Sequence, residues 1–338
     1  MMRILLTGGA GYIGSHTAVE LLNAGYEVVV VDNLANSCEE SLVRVQELSG
    51  KALSYYHLDI LDRAKLEEVF SREAIDAVIH FAALKAVAES VVQPLRYYYN
   101  NVTGTITLCQ VMKEFGVKNL VFSSSATVYG ENETVPLRED FDLLPATNPY
   151  GRSKQMMEDV LRDLNHADET WNIAILRYFN PIGAHESGRI GEDPNGIPAN
   201  LLPYVAQVAI GKHSHVRVYG DDYPTPDGTG IRDYIHVVDL AVAHVKALKK
   251  LASNPGLVTY NLSTGKGSSV LQVIAAFEKA CGKKIPYQIY PRRPGDLAVS
   301  YADPSKAERE ICWVAERDLN DMCMDAWRWQ SLNPNGFD

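Results

Sequence analysis

Tyr150 and Lys154 stand four residues apart behind an Asn148-Pro149 pair, and three serines, Ser123, Ser124 and Ser125, end an apolar run upstream. A phenol and an ammonium one helical turn apart project from the same face. A nearby cation draws a tyrosine pKa towards neutrality and makes the phenol a usable general base. Asn148 suits a helix N-cap and Pro149 a first turn, which fixes Tyr150 at a rigid helix start within reach of the serines. Tyr/Lys pairs at this spacing also decorate solvated helices, so the weight comes from what else the chain carries. It opens with TGGAGYIG, in which Gly8, Gly11 and Gly14 form GxxGxxG between a strand-like and a helix-like run. Missing side chains there let the backbone turn tightly and approach a pyrophosphate at a helix N-terminus. Asp32 ends the second apolar run, where a carboxylate binds ribose hydroxyls and repels a 2′-phosphate. No Lys or Arg follows it until Arg44, which favours NAD over NADP. Together these residues predict hydride chemistry on a bound dinucleotide.

The elements that must position them alternate. Arg3 to Thr7 reads as a buried parallel strand and Ser15 to Ala24 as a helix stopped by Gly25; Glu27 to Val31 is a second strand. Further apolar runs fall at Leu53 to Leu58, Ala77 to Phe81, Asn119 to Ser123 and Trp171 to Tyr178, separated by helical stretches such as Lys65 to Ser71 and Val102 to Phe115. This pattern predicts an α/β fold, a doubly wound parallel sheet with right-handed crossovers. After Asn180 the chain turns rich in Gly, Pro and Asn, with weak periodicity that predicts short helical pieces and loops. The boundary is set there: residues 1–180 form a dinucleotide domain. Residues 181–338 form a smaller mixed α/β domain capping the sheet's carboxyl edge, with segments near 232–264 able to pack back on the first. Asp59 ends the third strand, as an adenine contact or a loop cap. FAALK (Phe81 to Lys85) ends the fourth over the same crevice, with Phe81 either cofactor wall or core.

Bulk properties exclude other classes. A net charge of -10 over 338 residues argues against a nucleic-acid or membrane surface. Five scattered cysteines (Cys38, Cys109, Cys281, Cys312, Cys323) without a CxxC pair suit reduced cytoplasmic thiols and no metal site. The short apolar stretch in MMRILLTGG reads as a first strand and not a signal peptide, and no run approaches the ~18 apolar residues of a membrane span.

The motifs TGGAGYIGSH, VDNLANS, HFAALKAV, SSSATVYG, NPYGRSK, LRYFNPIGAH, DGTGIRDYIHV, YNL and RRPGD occur in that order nearly end to end. In this the chain resembles the extended short-chain dehydrogenase/reductase family, and within it the UDP-glucose (UDP-galactose) 4-epimerases. The resemblance implies a Rossmann-like first domain, a homodimer formed through first-domain helices, and NAD retained through each turnover. Tyr150 would take the proton of the sugar 4-hydroxyl, Lys154 hold the nicotinamide ribose, and Ser125 hydrogen-bond the reacting oxygen. Besides Gly8, Gly11, Gly14, Asp32, Asp59, Phe81 and the catalytic residues, it implies cofactor contacts from Tyr12, Ile13, Asn33, Asn36, Ser37, Ile60, Ala82, Lys85, Asn100 and Phe179.

For a UDP-sugar it implies Lys85, Ser125, Tyr150, Phe179, Asn180, Asn200, Leu201, Arg217, Tyr219, Arg232, Arg293, Asp296 and Ser300. Arg232 and Arg293 have the chemistry to pair with a diphosphate. Ser300 departs from the better-known bacterial pattern, which has tyrosine beside the sugar 2-position, and leaves room for the 2-acetamido group of UDP-N-acetylglucosamine and UDP-N-acetylgalactosamine. Alternatives are a UDP-glucuronate 4-epimerase, a 4,6-dehydratase or decarboxylase, and a non-catalytic NAD-sensing protein. The dehydratase class needs a carboxylate after the serine-ended strand, where this chain reads Ser125, Ala126, Thr127. A sensing protein would be free to lose Tyr150 or Lys154.

Overall fold

A computed structural model describes residues 2–293 and 295–337; Met1, Pro294 of the RRPGD motif and Asp338 lie outside them. The strands are β1 Arg3–Thr7, β2 Glu27–Asp32, β3 Ser54–His57, β4 Ala77–His80, β5 Asn119–Ser123, β6 Asn172–Tyr178, β7 Asn180–Ile182, β8 Val216–Tyr219, β9 Ile231–His236, β10 Leu257–Leu262, β11 Gly267–Ser269, β12 Tyr287–Tyr290 and β13 Val299–Ser300. Seven of them make one parallel sheet in the order β10-β6-β5-β4-β1-β2-β3. Sheets of this kind are covered on both faces, so their strands carry continuous apolar runs. Ile4, Leu6, Val28, Val30, Ile79 and Val121 face one core with helices Tyr12–Asn23 and Val237–Leu251, and Leu5, Val29, Val31, Val78, Leu120 and Phe122 face the other. The chain reverses direction of winding between β1 and β4, and the crevice beyond their carboxyl ends is where such sheets bind ligands.

Two local readings need correction. Helix Val102 to Phe115 is preceded by a π-helical turn, Tyr99–Thr103, and begins at Gly104. The region after Asn180 is also more regular than its composition suggests. It contains helices Leu201–Ala209, Val270–Cys281 and Leu319–Leu332 packed around Val205, Val218, Phe277 and Met322. Capping boxes start two of them, Ser269 with Gln272 and Asp318 with Asp321, and these signals were present among the Gly- and Pro-rich turns. β10 and helix Val237–Leu251 pack with β6 and helix Tyr12–Asn23 of the large sheet. Among the described residues no helix is long and apolar enough to cross a membrane, and no His/Cys/Asp/Glu group could hold a metal ion.

Candidate active site

The crevice floor is built from glycines where a side chain would not fit. Gly8 has φ +71°, and a Cβ on it would stand 2.8 Å from the Ala82 nitrogen; one on Gly14 would stand 2.4 Å from the Gly8 carbonyl. The turn therefore lies backbone to backbone against the FAALK segment. Gly11 caps helix Tyr12–Asn23 with no side-chain hydrogen bond, so the first-turn N–H groups of Tyr12 and Ile13 face outward as an anion site. Tyr12 itself donates to the Gly183 carbonyl at 2.7 Å, tying the glycine turn to the second half of the chain. At the end of β2 the Asp32 carboxylate is buried. It accepts from Ala10 N at 3.0 Å, Leu34 N at 2.9 Å and Ser37 Oγ at 2.8 Å. Leu34 takes φ 56° to make this turn, a left-handed conformation that costs a non-glycine residue ~1 kcal/mol or more. Asn33 donates to Asp59 at 2.8 Å, so the loops after β2 and β3 meet, with Asn36 exposed at the tip and Ile60 buried below. Arg44 is turned away, bonded to Glu40, the Arg189 carbonyl and Asn333. These features fit a dinucleotide with a free 2′-hydroxyl.

Three buried histidines underlie this cleft. His80 lies between the Thr7 and Thr105 hydroxyls at 2.6 and 3.0 Å, His244 packs against Phe81 with ring centroids 4.8 Å apart and planes tilted by 50°, and His16 lies edge-on to Tyr12 at 5.3 Å. Burial drives their pKa values down to about 3, about 4 and about 3 respectively. In the unfolded chain each binds its proton near pH 6.5. Between pH 6.5 and 4 the unfolded state therefore takes up more protons, and stability falls as pH falls through that window. Tm measured against pH is expected to decline already between pH 6.5 and 5, above the range of ordinary carboxylates; a flat Tm there would contradict it.

The residues predicted to be catalytic converge at the end of β5. Asn148 caps helix Pro149–Ala167 by accepting the Gly151 N–H at 2.9 Å, which sets Tyr150 in the first turn, partly exposed. Ser125 hydrogen-bonds its phenol. Lys154 is buried, donates to the Ser123 carbonyl at 2.7 Å and stands 5.0 Å from the Phe122 ring centroid. One-turn spacing predicts that Lys154 lowers the tyrosine pKa, and the structure reverses the sign. Burial pushes the phenol up, against the pull of Ser125, while burial brings Lys154 itself down to about 7, opposed by the Glu158 carboxylate. The ammonium is committed to a main-chain carbonyl, and its charge is weakened.

Glu158, missed in the sequence, repeats the helical spacing one turn beyond Lys154. It is fully buried, accepts from Ser124 Oγ at 2.6 Å and pairs with Arg177 of β6 through two bonds of 3.0 and 2.6 Å. This pairing offsets the desolvation of both charges and locks helix Pro149–Ala167 to β5 and β6. Asn101 was also missed. Its amide accepts from Leu84 N at 2.8 Å and donates to the Leu84 carbonyl and Ser153 Oγ at 3.1 and 2.9 Å, fixing the FAALK segment to the same helix. Asn100 donates to the Asn101 side chain at 3.0 Å.

The second half presents a cluster of its own. Asp296 accepts from Arg293 at 2.8 Å and lies 3.7 Å from Arg232, while the Arg293 guanidinium covers the Tyr219 ring at 5.0 Å. Ser300 on β13 pairs in register with Arg232 on β9. Arg217 lies on the same strand as Tyr219, bonded to its side chain and 5.9 Å from the Tyr290 ring. Asn180 donates to the Asp233 carbonyl at 3.0 Å, and Phe179 is buried with Tyr129 and Ala302. Asn200 caps the helix that Leu201 begins, and Lys85 is exposed and ion-paired with Glu192.

The profile of the NAD dependent epimerase/dehydratase family matches residues 4–263, and the chain belongs to that family. It is similar over 99% of its length to the UDP-glucose 4-epimerase of Bacillus subtilis (strain 168), at 63% identity and covering 99% of that protein. The UDP-glucose 4-epimerase of Mus musculus is 59% identical across 100% of this chain and 99% of its own. Among solved structures, that of the UDP-glucose 4-epimerase from Bifidobacterium longum in complex with NAD+ and UDP superposes with a TM-score of 0.96 at 56% identity, covering 99% of this chain and 100% of that one.

Proposed function

We infer that the protein is an NAD-dependent UDP-glucose/UDP-galactose 4-epimerase, an isomerase. The observation that carries this reading is the convergence of Tyr150, Ser125 and Lys154 on the edge of a dinucleotide cleft, in a chain that also builds an Arg232–Asp296–Arg293 cluster. Bound NAD supplies the hydride acceptor, and later the donor, at sugar C4. Gly8, Gly11, Gly14 and Asp32 hold the cofactor. Tyr150 takes the 4-hydroxyl proton as the alcohol is oxidised and returns it to the same oxygen once the ketone has presented its opposite face for reduction, with Ser125 bonded to that oxygen. Because burial raises its pKa, the phenolate once formed is a strong base. Arg232 and Arg293 bind the diphosphate, and residues 1–180, with the return of 232–264, serve the cofactor while the remainder serves the sugar. Ser300 leaves space for a 2-acetamido group. Purified protein is expected to interconvert UDP-galactose and UDP-glucose with no net redox change; inactivity on both sugars with NAD supplied would sink this function.

We also propose a cytoplasmic homodimer. All five cysteines are free thiols. Val91, Val92, Leu95 and Tyr99 are 60%, 75%, 81% and 63% exposed on consecutive helical turns beside Ile106 and Met156, an apolar patch that a second copy would cover. Wild type is expected to sediment as a dimer and Leu95→Glu as a monomer. A wild-type monomer would contradict the proposal.

A further inference from the structure

Glu192 belongs to none of the motifs that mark the site, yet its carboxylate joins the two halves. Its Oε1 accepts from Lys85 Nζ at 3.3 Å and from Asn200 Nδ2 at 3.0 Å. Lys85 follows β4 on the cofactor side, and Asn200 caps helix Leu201–Ala209 on the sugar side. The Glu192 side chain is 10% exposed, and its charge adds to the burial that pushes the Tyr12 phenol up. A carboxylate so withdrawn from water is retained only with partners, and here both partners are residues assigned to the UDP-sugar. The backbone around it is held by the tail. Trp329 Nε1 donates to the Glu192 carbonyl at 3.2 Å, a Cβ on Gly191 would stand 2.3 Å from the Trp329 ring, and the Asp193 carboxylate accepts the Phe337 N–H at 3.0 Å. The tail tryptophan thus has a role in setting where Glu192 stands.

We propose that Glu192 is a positioning residue for the nucleotide sugar, holding Lys85 and Asn200 across the cleft so that an anionic diphosphate meets both at fixed separation. This rests on the epimerase reading. An exposed ion pair would contribute little; this one is anchored on a nearly buried carboxylate shared by two donors. Glu192→Gln keeps the shape and removes the charge that holds Lys85. KM for UDP-galactose is expected to rise about tenfold, equivalent to ~1.4 kcal/mol, with a smaller change in kcat and with bound NAD and Tm kept. In a Lys85→Met background the same substitution is expected to change KM by about threefold or less, because the two act through one interaction. Wild-type KM in Glu192→Gln, the full tenfold effect in both backgrounds, or a loss that follows a fall in Tm would each overturn the proposal. If Glu192→Gln does not fold, Glu192→Asp, which shortens the reach by one methylene, is read by the same criteria. Wild-type turnover measured alongside separates the two claims: its absence sinks the epimerase reading, whereas indifferent variants of an active enzyme overturn only the role of Glu192.

Discussion

Tyr150→Phe is expected to lower turnover of UDP-galactose by at least ~100-fold, the lower end of what general acid-base catalysis contributes. The substitution removes one oxygen from a partly exposed position in the first turn of a helix already capped by Asn148. The buried ties that hold the helix lie elsewhere: Lys154 to the Ser123 carbonyl, Glu158 to Arg177, and Ser153 to Asn101. Fold and bound cofactor should therefore persist while proton transfer is lost. The phenol's pKa is raised by burial and lowered through Ser125. Steady-state rates together with cofactor content in the same preparation check this. Near-normal turnover in Tyr150→Phe would show the base to be another group.

Ser300→Tyr is expected to suppress interconversion of UDP-N-acetylglucosamine and UDP-N-acetylgalactosamine while sparing UDP-galactose. Ser300 lies on β13, in register with Arg232, and is partly exposed towards the cluster that Asp296 joins. A tyrosine would fill the space the acetamido group needs as the sugar turns over. Overfilling a packed site costs ~1 to 3 kcal/mol, or roughly five- to 150-fold. The neighbouring Tyr301 lies with its ring beside Gly267 on β11, and its carbonyl accepts the Leu137 N–H at 2.9 Å. Competition between the two substrate pairs in wild type and variant is the measurement. The idea fails if wild type ignores the N-acetylated sugars, or if the variant handles both pairs as wild type does.

What the sequence revealed, and what it hid, follow from range. Short-range signals were legible: the glycine turn, Asp32 at a strand end, Asn148 and Pro149 ahead of Tyr150, and the apolar runs that became the first six strands of the large sheet. The sign of the tyrosine shift was not, because it depends on burial and on Lys154 finding the Ser123 carbonyl, a partner 31 residues away. Glu192 gave no local signal at all, since its partners lie 107 and 8 residues away and its backbone is held by Trp329. Glu158 was within reach, as its i+4 spacing from Lys154 repeats that of Lys154 from Tyr150, but only β6 shows why a carboxylate is needed there. After Asn180 composition hid regular structure, because turn residues between elements outweighed the periodicity of the helices they connect.

The central claim, transient oxidation at C4 by a cofactor that never leaves, is tested most directly with UDP-galactose carrying deuterium at C4, turned over by purified protein without added NAD. The expected result is UDP-glucose with the deuterium still at C4 and none in the solvent, accompanied by NAD in the supernatant when the protein is denatured. Deuterium washed out to water, or conversion by protein that releases no dinucleotide, would contradict it.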